Sequence, residues 1–131
     1  MRGVYCLILH VVKNVRIKVG ALGLIKFKRG IYVYVGSAQN GIDNRIKRHL
    51  KKVKRRYWHI DYLVANKYVR IEKVVYKEAP KDEECRIASF LNLFCEPVKG
   101  FGCSDCKCIS HLFWLKKWDS DFISRIGQEL K

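Results

Sequence analysis

Continuous and alternating runs of apolar residues along the chain predict six β-strands. The run from Gly3 to Val12 is almost wholly apolar, which indicates a strand buried on both faces. Lys13-Asn14 predicts a tight turn, and the polar alternation of residues 15–20 predicts the hairpin partner of that first strand. The other strands, rich in β-branched and aromatic residues, are predicted at residues 24–30, 31–36, 69–78 and 112–115.

Apolar residues at helical spacing predict a basic helix after the fourth strand. They recur at intervals of four, four and three along one face: Ile42, Ile46, Leu50 and Val53. A second helix is expected after Pro80, with acidic residues in its first turns, and a short third one from about Asp119 to Gly127. The aromatic segment at residues 57–64 would place His59 and Asp61 on one face if it is a strand.

Length and hydropathy restrict the class of protein. A chain of 131 residues and 15.4 kDa, with 49% hydrophobic residues, is expected to form one domain, residues 1–131, with a real core. No run approaches the roughly 18 apolar residues of a membrane span, and the first residues lack the features of a secretory signal. We therefore expect a cytoplasmic protein without membrane partners, whose six cysteines are reduced or bound to metal.

The net charge of +15 is concentrated in the first half of the chain. Residues 1–56 carry 15 lysines and arginines against the single acid Asp43, whereas residues 57–131 carry 12 against 11 acids. Such a cationic surface attracts polyanions, of which nucleic acid is the commonest in the cytoplasm. The alternative is a highly charged surface that only keeps the protein soluble, but such a surface usually mixes acidic and basic residues.

The predicted basic helix separates its charges into two groups. At about 100° per residue, one group covers the side away from the apolar stripe: Lys47, Arg48, Lys51, Lys54 and Arg55. The other lies along one border of that stripe: Arg45, His49, Lys52 and Arg56. Border residues can face a groove between helix and sheet, while the outer group can equally be a solvated face. Nucleic acid is expected to contact Arg48, Lys51, Lys52, Arg55 and Arg56.

An ordered set of short motifs resembles the GIY-YIG nuclease domain. Gly3-Val4-Tyr5 is followed by Tyr34-Val35-Gly36, then by Arg45 and His49 on the next helix, and by a glutamate on a later one. The fragments YVGSA, RIKRHL, WHIDYL and SDCKC with SHLF are similar to a largely prokaryotic branch of that superfamily, some of whose members are fused to base-excision glycosylases. The resemblance extends from Gly3 to Leu115.

The resemblance implies an α+β fold, with a small central antiparallel sheet flanked by helices. It also implies a DNA endonuclease that uses one Mg²⁺ or Mn²⁺ ion, and a connection with DNA-repair proteins. The resemblance implies roles for five residues. Tyr5 would be the general base or would position the attacking water, and Tyr34 would be the second motif tyrosine. Arg45 would stabilise the charge of the phosphorane, His49 would lie beside these residues, and Glu84 would bind the metal. A phenol is a poor base at neutral pH unless cations favour the phenolate, which Arg45 and the metal would supply.

The same resemblance leaves several assignments open. Tyr32 shares a strand face with Tyr34 and competes for its role, and Glu83 competes with Glu84. The two tyrosine motifs stand 29 positions apart, farther than in compact members, so residues 14–29 are expected to form an inserted hairpin or loop. Each tyrosine alone could equally be a packed strand aromatic. The alternative function is an inactive nucleic-acid-binding module of the same fold.

A Cys/His-rich loop at residues 100–111 adds a candidate metal site. Cys103, Cys106, Cys108 and His111 supply four ligands, the number that a closed tetrahedral zinc site requires, and Cys85 is a remote candidate. Small buried cysteines and a redox thiol pair are the alternatives. His59 and Asp61 are candidates to orient water or phosphate, with a structural role as the alternative.

Overall fold

The computed structural model describes residues 2–39, 41–51, 58–103, 107–115 and 119–129. Its strands are β1 Gly3–Val11, β2 Val15–Lys18, β3 Leu24–Phe27, β4 Gly30–Ala38, β5 Val69–Lys77, β6 Glu96–Pro97 and β7 Leu112–Leu115. Its helices are α1 Ile42–Leu50, α2 His59–Val64, α3 Asp82–Phe94 and α4 Ser120–Glu129. The predicted α+β class, with a central antiparallel sheet and flanking helices, is confirmed. Among the residues described, no helix combines the length and apolar character needed to cross a membrane.

The main sheet has five strands in the order β5-β1-β4-β7-β6, and neighbouring strands are antiparallel. Its central strands β1 and β4 consist almost entirely of buried residues, as the continuous apolar run of β1 predicts. Side chains alternate between the two faces of β1. Tyr5, Leu7 and Leu9 belong to the core on one face, whereas residues 4, 6 and 8 belong to the core beneath α3 and α4.

The prediction that the first two strands pair with each other in a hairpin is wrong. The strand β2 pairs with β3 in a separate two-stranded sheet, here called the ribbon, because both edges of β1 are taken by β4 and β5. The ribbon places Ile17 and Phe27 in the core on the Tyr5 face of the main sheet. The inserted hairpin expected between the two tyrosine motifs is therefore present, with β2 in it.

The two segments after β4 also differ from their predicted patterns. Leu50 is exposed and His49 is buried, so the apolar face expected on α1 does not extend to Leu50. The physical reason is that His49 packs against the sheet tyrosines and turns this border of the short helix inward. Residues 52–56, and thus the predicted end of the helix, lie outside the described residues. Residues 59–64 form α2 instead of a strand, which removes the face that His59 and Asp61 would have shared.

Candidate active site

The register of β1 and β4 places Tyr5 directly opposite Gly36. A Cβ atom at residue 36 would overlap the phenol ring of Tyr5, so the ring occupies the space that a side chain would need. Cross-strand neighbours on one face of a sheet lie within contact distance. The glycine that ends the motif Tyr34-Val35-Gly36 therefore has a direct role in seating the first motif tyrosine.

We expect Gly36→Ala to destabilise the protein by about 1–3 kcal/mol, because the added methyl group overpacks the site. It should also displace Tyr5 and reduce any activity that depends on it. Urea unfolding would measure the change in free energy. Gly127→Ala is the matched control, because a Cβ at that helical position meets nothing within 4 Å. We expect that control to gain about 0.5–1 kcal/mol from helix propensity, and equal effects of the two substitutions would contradict the prediction.

The hydroxyl of Tyr5 forms a buried hydrogen bond with the second predicted residue, His49. Tyr5 Oη lies 2.6 Å from His49 Nε2, and the two ring centroids are 5.3 Å apart. Tyr34 completes an aromatic cluster, with its ring 6.4 Å from Tyr5 and 6.3 Å from His49. Strand β1, strand β4 and helix α1 thus each contribute one ring to the same place.

Tyr34, and not Tyr32, belongs to this cluster. The Tyr32 hydroxyl donates a hydrogen bond to the Lys28 carbonyl at 2.8 Å, and its ring packs edge-on against Phe27. Although Tyr32 and Tyr34 share a strand face, the two-residue step along β4 carries Tyr32 toward the ribbon. The structure therefore favours the assignment of the second motif tyrosine to Tyr34.

Arg45 holds its guanidinium at the edge of the cluster. Its Nη1 donates a hydrogen bond to the Ser37 carbonyl at 3.0 Å, and its Cζ lies 4.2 Å from the centroid of the Trp58 ring. The backbone of the YVGSA segment and an aromatic face therefore both orient this side chain. Trp58 was not among the predicted site residues, although its place beside His59 in an aromatic segment was the available signal.

Burial dominates the protonation of the two tyrosines. It raises the pKa of the Tyr5 hydroxyl above its ordinary value, and the charge and hydrogen bond of Arg45 lower that pKa by less. Burial likewise raises the pKa of Tyr34, with a smaller increase from its proximity to Tyr5 and Glu84. Arg45 lowers the Tyr5 pKa, as expected, but without a metal ion desolvation of the charged form is the larger effect. Both tyrosines are neutral phenols at neutral pH.

Glu84, and not Glu83, faces the tyrosine cluster. Glu84 is buried on the first turn of α3, and its Oε1 lies 3.7 Å from His111 Nδ1. Glu83 instead forms ion pairs with Lys77 and Arg86. The hydrogen bonds from Arg86 and Lys77 lower the pKa of Glu83 to about 2. Successive helical residues are separated by about 100°, which explains why the neighbouring carboxylates have different surroundings.

The other residues predicted around the helix have structural contacts. Arg48 was expected on the outer face of α1, but its guanidinium binds the Asp61 carboxylate through two hydrogen bonds of 2.7 and 2.9 Å. Asp61 is fully buried and also accepts a hydrogen bond from the Trp58 amide at 2.9 Å. His59 Nδ1 accepts one from the Gly102 amide at 2.9 Å. Lys51 is exposed at the end of α1, while Lys52, Arg55 and Arg56 lie outside the described residues.

We expect Arg48→Ala to lower the free energy of unfolding by about 3–5 kcal/mol, because it removes the guanidinium that forms two hydrogen bonds with the buried Asp61 carboxylate. Thermal and urea unfolding would measure this loss. Lys47→Ala, at an exposed position on the same helix, is the control and should change stability by less than about 0.5 kcal/mol. Similar stability of both variants would mean that the ion pair between helices α1 and α2 contributes little.

A second cluster, of thiols and imidazole, lies next to Glu84. Donor atoms of Cys85, Cys108 and His111 all lie within 4.8 Å of one another, an arrangement that can hold a metal ion. Cys103 was predicted to join but is not part of this group, and its Sγ contacts the Phe101 carbonyl at 3.5 Å. The left-handed backbone of Gly100 and Gly102 shapes the turn before it. The remote candidate Cys85 takes part instead, and the predicted ligand Cys106 lies outside the described residues.

The fold and the site define a class: a mixed α+β domain whose antiparallel sheet presents two tyrosines to an arginine and histidine from one helix and a glutamate from another. The family model described as "Domain of unknown function DUF123" matches residues 4–130. The chain therefore belongs to the DUF123 family. Neither curated proteins nor solved structures gave a match to this chain.

Proposed function

We propose that this protein is a divalent-metal-dependent endonuclease of the GIY-YIG type that hydrolyses phosphodiester bonds in DNA. The observation that carries the proposal is the hydrogen bond between Tyr5 and His49, placed where Tyr34, Arg45 and Glu84 converge. The side chains come from two strands and two helices spread over residues 5–84. Their types match what phosphodiester hydrolysis needs: a path for a proton, a cation for phosphate oxygens and a carboxylate for a metal.

The hydrogen bond between Tyr5 and His49 provides the path for the proton. A neutral phenol with a raised pKa is a weak base by itself, but it can relay a proton. In the His49 tautomer whose Nε2 is unprotonated, Tyr5 Oη takes a proton from the attacking water while its own proton passes to Nε2. The water oxygen bonds to phosphorus, the bond to the leaving sugar oxygen breaks, and that oxygen takes a proton from solvent.

Arg45 is the residue that would bind the developing phosphorane. The guanidinium presents several N–H donors in a rigid fork that matches phosphate oxygens. The Ser37 carbonyl and the Trp58 ring already orient it, so little reorganisation is required when charge develops on the phosphate. Arg45 lies beside the Tyr5 hydroxyl, so its guanidinium and the Tyr5–His49 proton relay would act on the same phosphate group.

Glu84 fits the requirement for a hard divalent cation. Mg²⁺ is commonly held by one or two carboxylates together with substrate phosphate oxygens and waters, so a single buried carboxylate beside the phosphate position is an adequate protein ligand. When bound, Mg²⁺ or Mn²⁺ supplies charge screening and polarises water. Glu83 does not suit this role, because two cations already bind its carboxylate.

A cleavage assay tests the proposal. Labelled duplex, nicked, branched and single-stranded DNA would be incubated with wild-type protein in Mg²⁺, in EDTA, and after Mg²⁺ is restored. A double variant, Tyr5→Phe/Glu84→Gln, prepared identically, detects contaminating nuclease. Metal-dependent cleavage by the wild type alone is the expected result. Equal cleavage by both proteins would identify a contaminant and overturn the assignment.

One observation favours a second candidate, an inactive nucleic-acid-binding module of the same fold. Tyr5 is only 1% exposed, so its hydroxyl is enclosed by the protein as an ordinary core tyrosine would be. On this reading the hydrogen bond with His49 satisfies two buried polar groups and has no chemical role. Salt-sensitive DNA binding without cleavage of any substrate would establish this alternative.

We further propose that Cys85, Cys108 and His111 bind a structural Zn²⁺ ion. Thiolate and imidazole are the ligands that zinc prefers, and these three join helix α3 to the Cys/His-rich loop. A closed tetrahedral site would take one further ligand in addition to these three. Such an ion would hold the first turn of α3, and with it Glu84, against that loop. A redox thiol pair is the competing interpretation, since the two sulfur atoms are 2.9 Å apart.

We expect the purified protein to contain about one zinc ion per chain, and its melting temperature to fall when a chelator removes that ion. Elemental analysis and thermal unfolding would measure both effects. Cys108→Ser should abolish zinc binding, whereas Cys95→Ser should retain it, because Cys95 lies outside the cluster at the end of α3. Equal zinc content in the two variants would contradict this site.

A further inference from the structure

The ribbon formed by β2 and β3 has one apolar and one cationic face. Its inward face contributes Ile17 and Phe27 to the core on the same side of the main sheet as Tyr5. The ring centroids of Phe27 and Phe101 are 6.2 Å apart, and those of Phe101 and Tyr34 are 6.3 Å apart. The outward face carries the exposed residues Arg16, Lys18, Leu24 and Lys26. The ribbon is thus packed beside the candidate active site and presents positive charge to solvent.

Two of these cations oppose each other across the ribbon. Arg16 pairs in register with Lys26, and like charges directly opposite are unfavourable. Within the described part of the chain, none of Arg16, Lys18 and Lys26 has an ion-pair partner. No acidic residue precedes residue 43 in the sequence, so the surplus has no nearby compensation along the chain.

A groove continues this cationic surface toward helix α2. It runs between the end of the ribbon and the helix and is lined by Ile17, Lys18, Gly20, Tyr62, Asn66 and Lys67, together with residue 65. Lys18 lines it from the ribbon and Lys67 from the segment after α2, and Tyr62 and Asn66 add an aromatic ring and an amide to the lining. Cations combined with an aromatic surface and hydrogen-bonding groups are typical of proteins that follow a nucleic acid strand.

We propose that the outward face of the ribbon and this groove bind the phosphate backbone of DNA at a second position, away from the bond that is cut. The proposal rests on the proposed function for the identity of the polyanion. An anionic backbone between the strands' cations removes the repulsion of Arg16 and Lys26 and supplies the missing counter-charge. A β-ribbon is also one of the elements that the major groove of DNA admits.

Helix α2 connects the groove with the candidate active site. The helix begins beside Trp58, which packs on Arg45, and its other end reaches the groove. Six residues at 1.5 Å each span about 9 Å, so a DNA strand that reaches Arg45 can also extend to the groove.

The test compares two double variants that each remove two positive charges. Arg16→Ala/Lys26→Ala alters the ribbon. Lys73→Ala/Arg125→Ala is the control on the opposite side of the sheet, because Lys73 pairs in register with Ile8 and Arg125 packs on the phenylalanines of α3. A labelled DNA duplex is the probe, and its Kd is measured as a function of salt concentration.

We expect the ribbon variant to bind roughly tenfold or more weakly at moderate salt, with a salt slope smaller by about 2, whereas the control changes neither appreciably. Stability should be unchanged or increased, since a like-charge pair is removed. If the protein cleaves DNA, the rate at saturating DNA should be retained while KM rises.

Equal Kd values and salt slopes for the ribbon and control variants would overturn the inference, as would a wild-type protein that does not bind the duplex. Failure of the nuclease assignment is distinguishable from both results. If no protein cleaves DNA but the ribbon variant alone loses affinity, the second contact stands and the catalytic proposal falls. If the ribbon variant cleaves DNA with a normal KM and a normal salt slope, the nuclease assignment stands and the second DNA contact is excluded.

Discussion

Tyr5→Phe is expected to reduce the rate of DNA cleavage by roughly 10²–10⁴-fold, the range that proton transfer by a positioned side chain contributes. Phenylalanine fills the same space over Gly36, so the sheet and the aromatic cluster should be preserved. The hydroxyl that is lost is the one 2.6 Å from His49 Nε2. The measurement is the single-turnover cleavage rate at saturating DNA, with Kd determined in parallel and expected to be nearly unchanged.

Tyr32→Phe is the matched control for this loss. It removes a phenolic hydroxyl from the same sheet face, but one that bonds the Lys28 carbonyl at 2.8 Å. We expect a cost in stability of about 1 kcal/mol from that hydrogen bond and no change in the cleavage rate. A Tyr5→Phe protein that cuts as fast as Tyr32→Phe would remove the proton-relay role and make Tyr5 a packing residue.

Glu84→Gln is expected to lower the cleavage rate by at least roughly 10²-fold at any Mg²⁺ concentration, because the contribution of a catalytic metal amounts to several kcal/mol. The amide keeps the size of the side chain and removes the negative charge that, on our proposal, would bind the cation. Cleavage rates over a series of Mg²⁺ and Mn²⁺ concentrations would measure both the maximal rate and the metal dependence. DNA binding in EDTA should be retained or slightly strengthened, since a negative charge near the phosphate is removed.

The adjacent Glu83→Gln supplies the comparison for Glu84. It breaks the ion pairs with Lys77 and Arg86 and should leave the metal dependence of cleavage unaltered. The Glu83 and Lys77 side chains are only 19% and 20% exposed, so some loss of stability is expected and urea unfolding would measure it separately. The assignment of the metal carboxylate would have to be reversed if Glu83→Gln, and not Glu84→Gln, abolished the response to Mg²⁺.

The elements that were predicted correctly are those with strong local patterns. The continuous apolar run of β1, the alternation of β5 and the acidic first turn of α3 all place their elements within a few residues of the observed bounds. The aromatic segment at residues 57–64 was ambiguous because strands and short helices both accept such residues. It forms α2, whose start is supported by the hydrogen bond from the Trp58 amide to Asp61.

Local patterns did not predict that β2 pairs with β3, or that the border of α1 that carries His49 faces the core. Neighbouring strands along a chain often pair, but β1 has no free edge, and β5, far along the chain, occupies the one that β2 was expected to take. Leu50 is more apolar than His49, yet His49 is buried, because its ring has a phenol to bond. In both cases a contact between distant segments decides the outcome.

The sequence by itself determined the cationic first half. Its resemblance to the GIY-YIG nuclease domain indicated the α+β class and the candidates Tyr5, Arg45 and His49, and left Tyr32 or Tyr34 and Glu83 or Glu84 open. Only the tertiary structure distinguished Tyr34 from Tyr32 and Glu84 from Glu83, and only it brought Cys85 to Cys108 and His111. The reason is physical. Periodicity along a chain encodes which side chains a strand or helix buries, whereas the partner that each buried group meets depends on how segments far apart in the chain pack together.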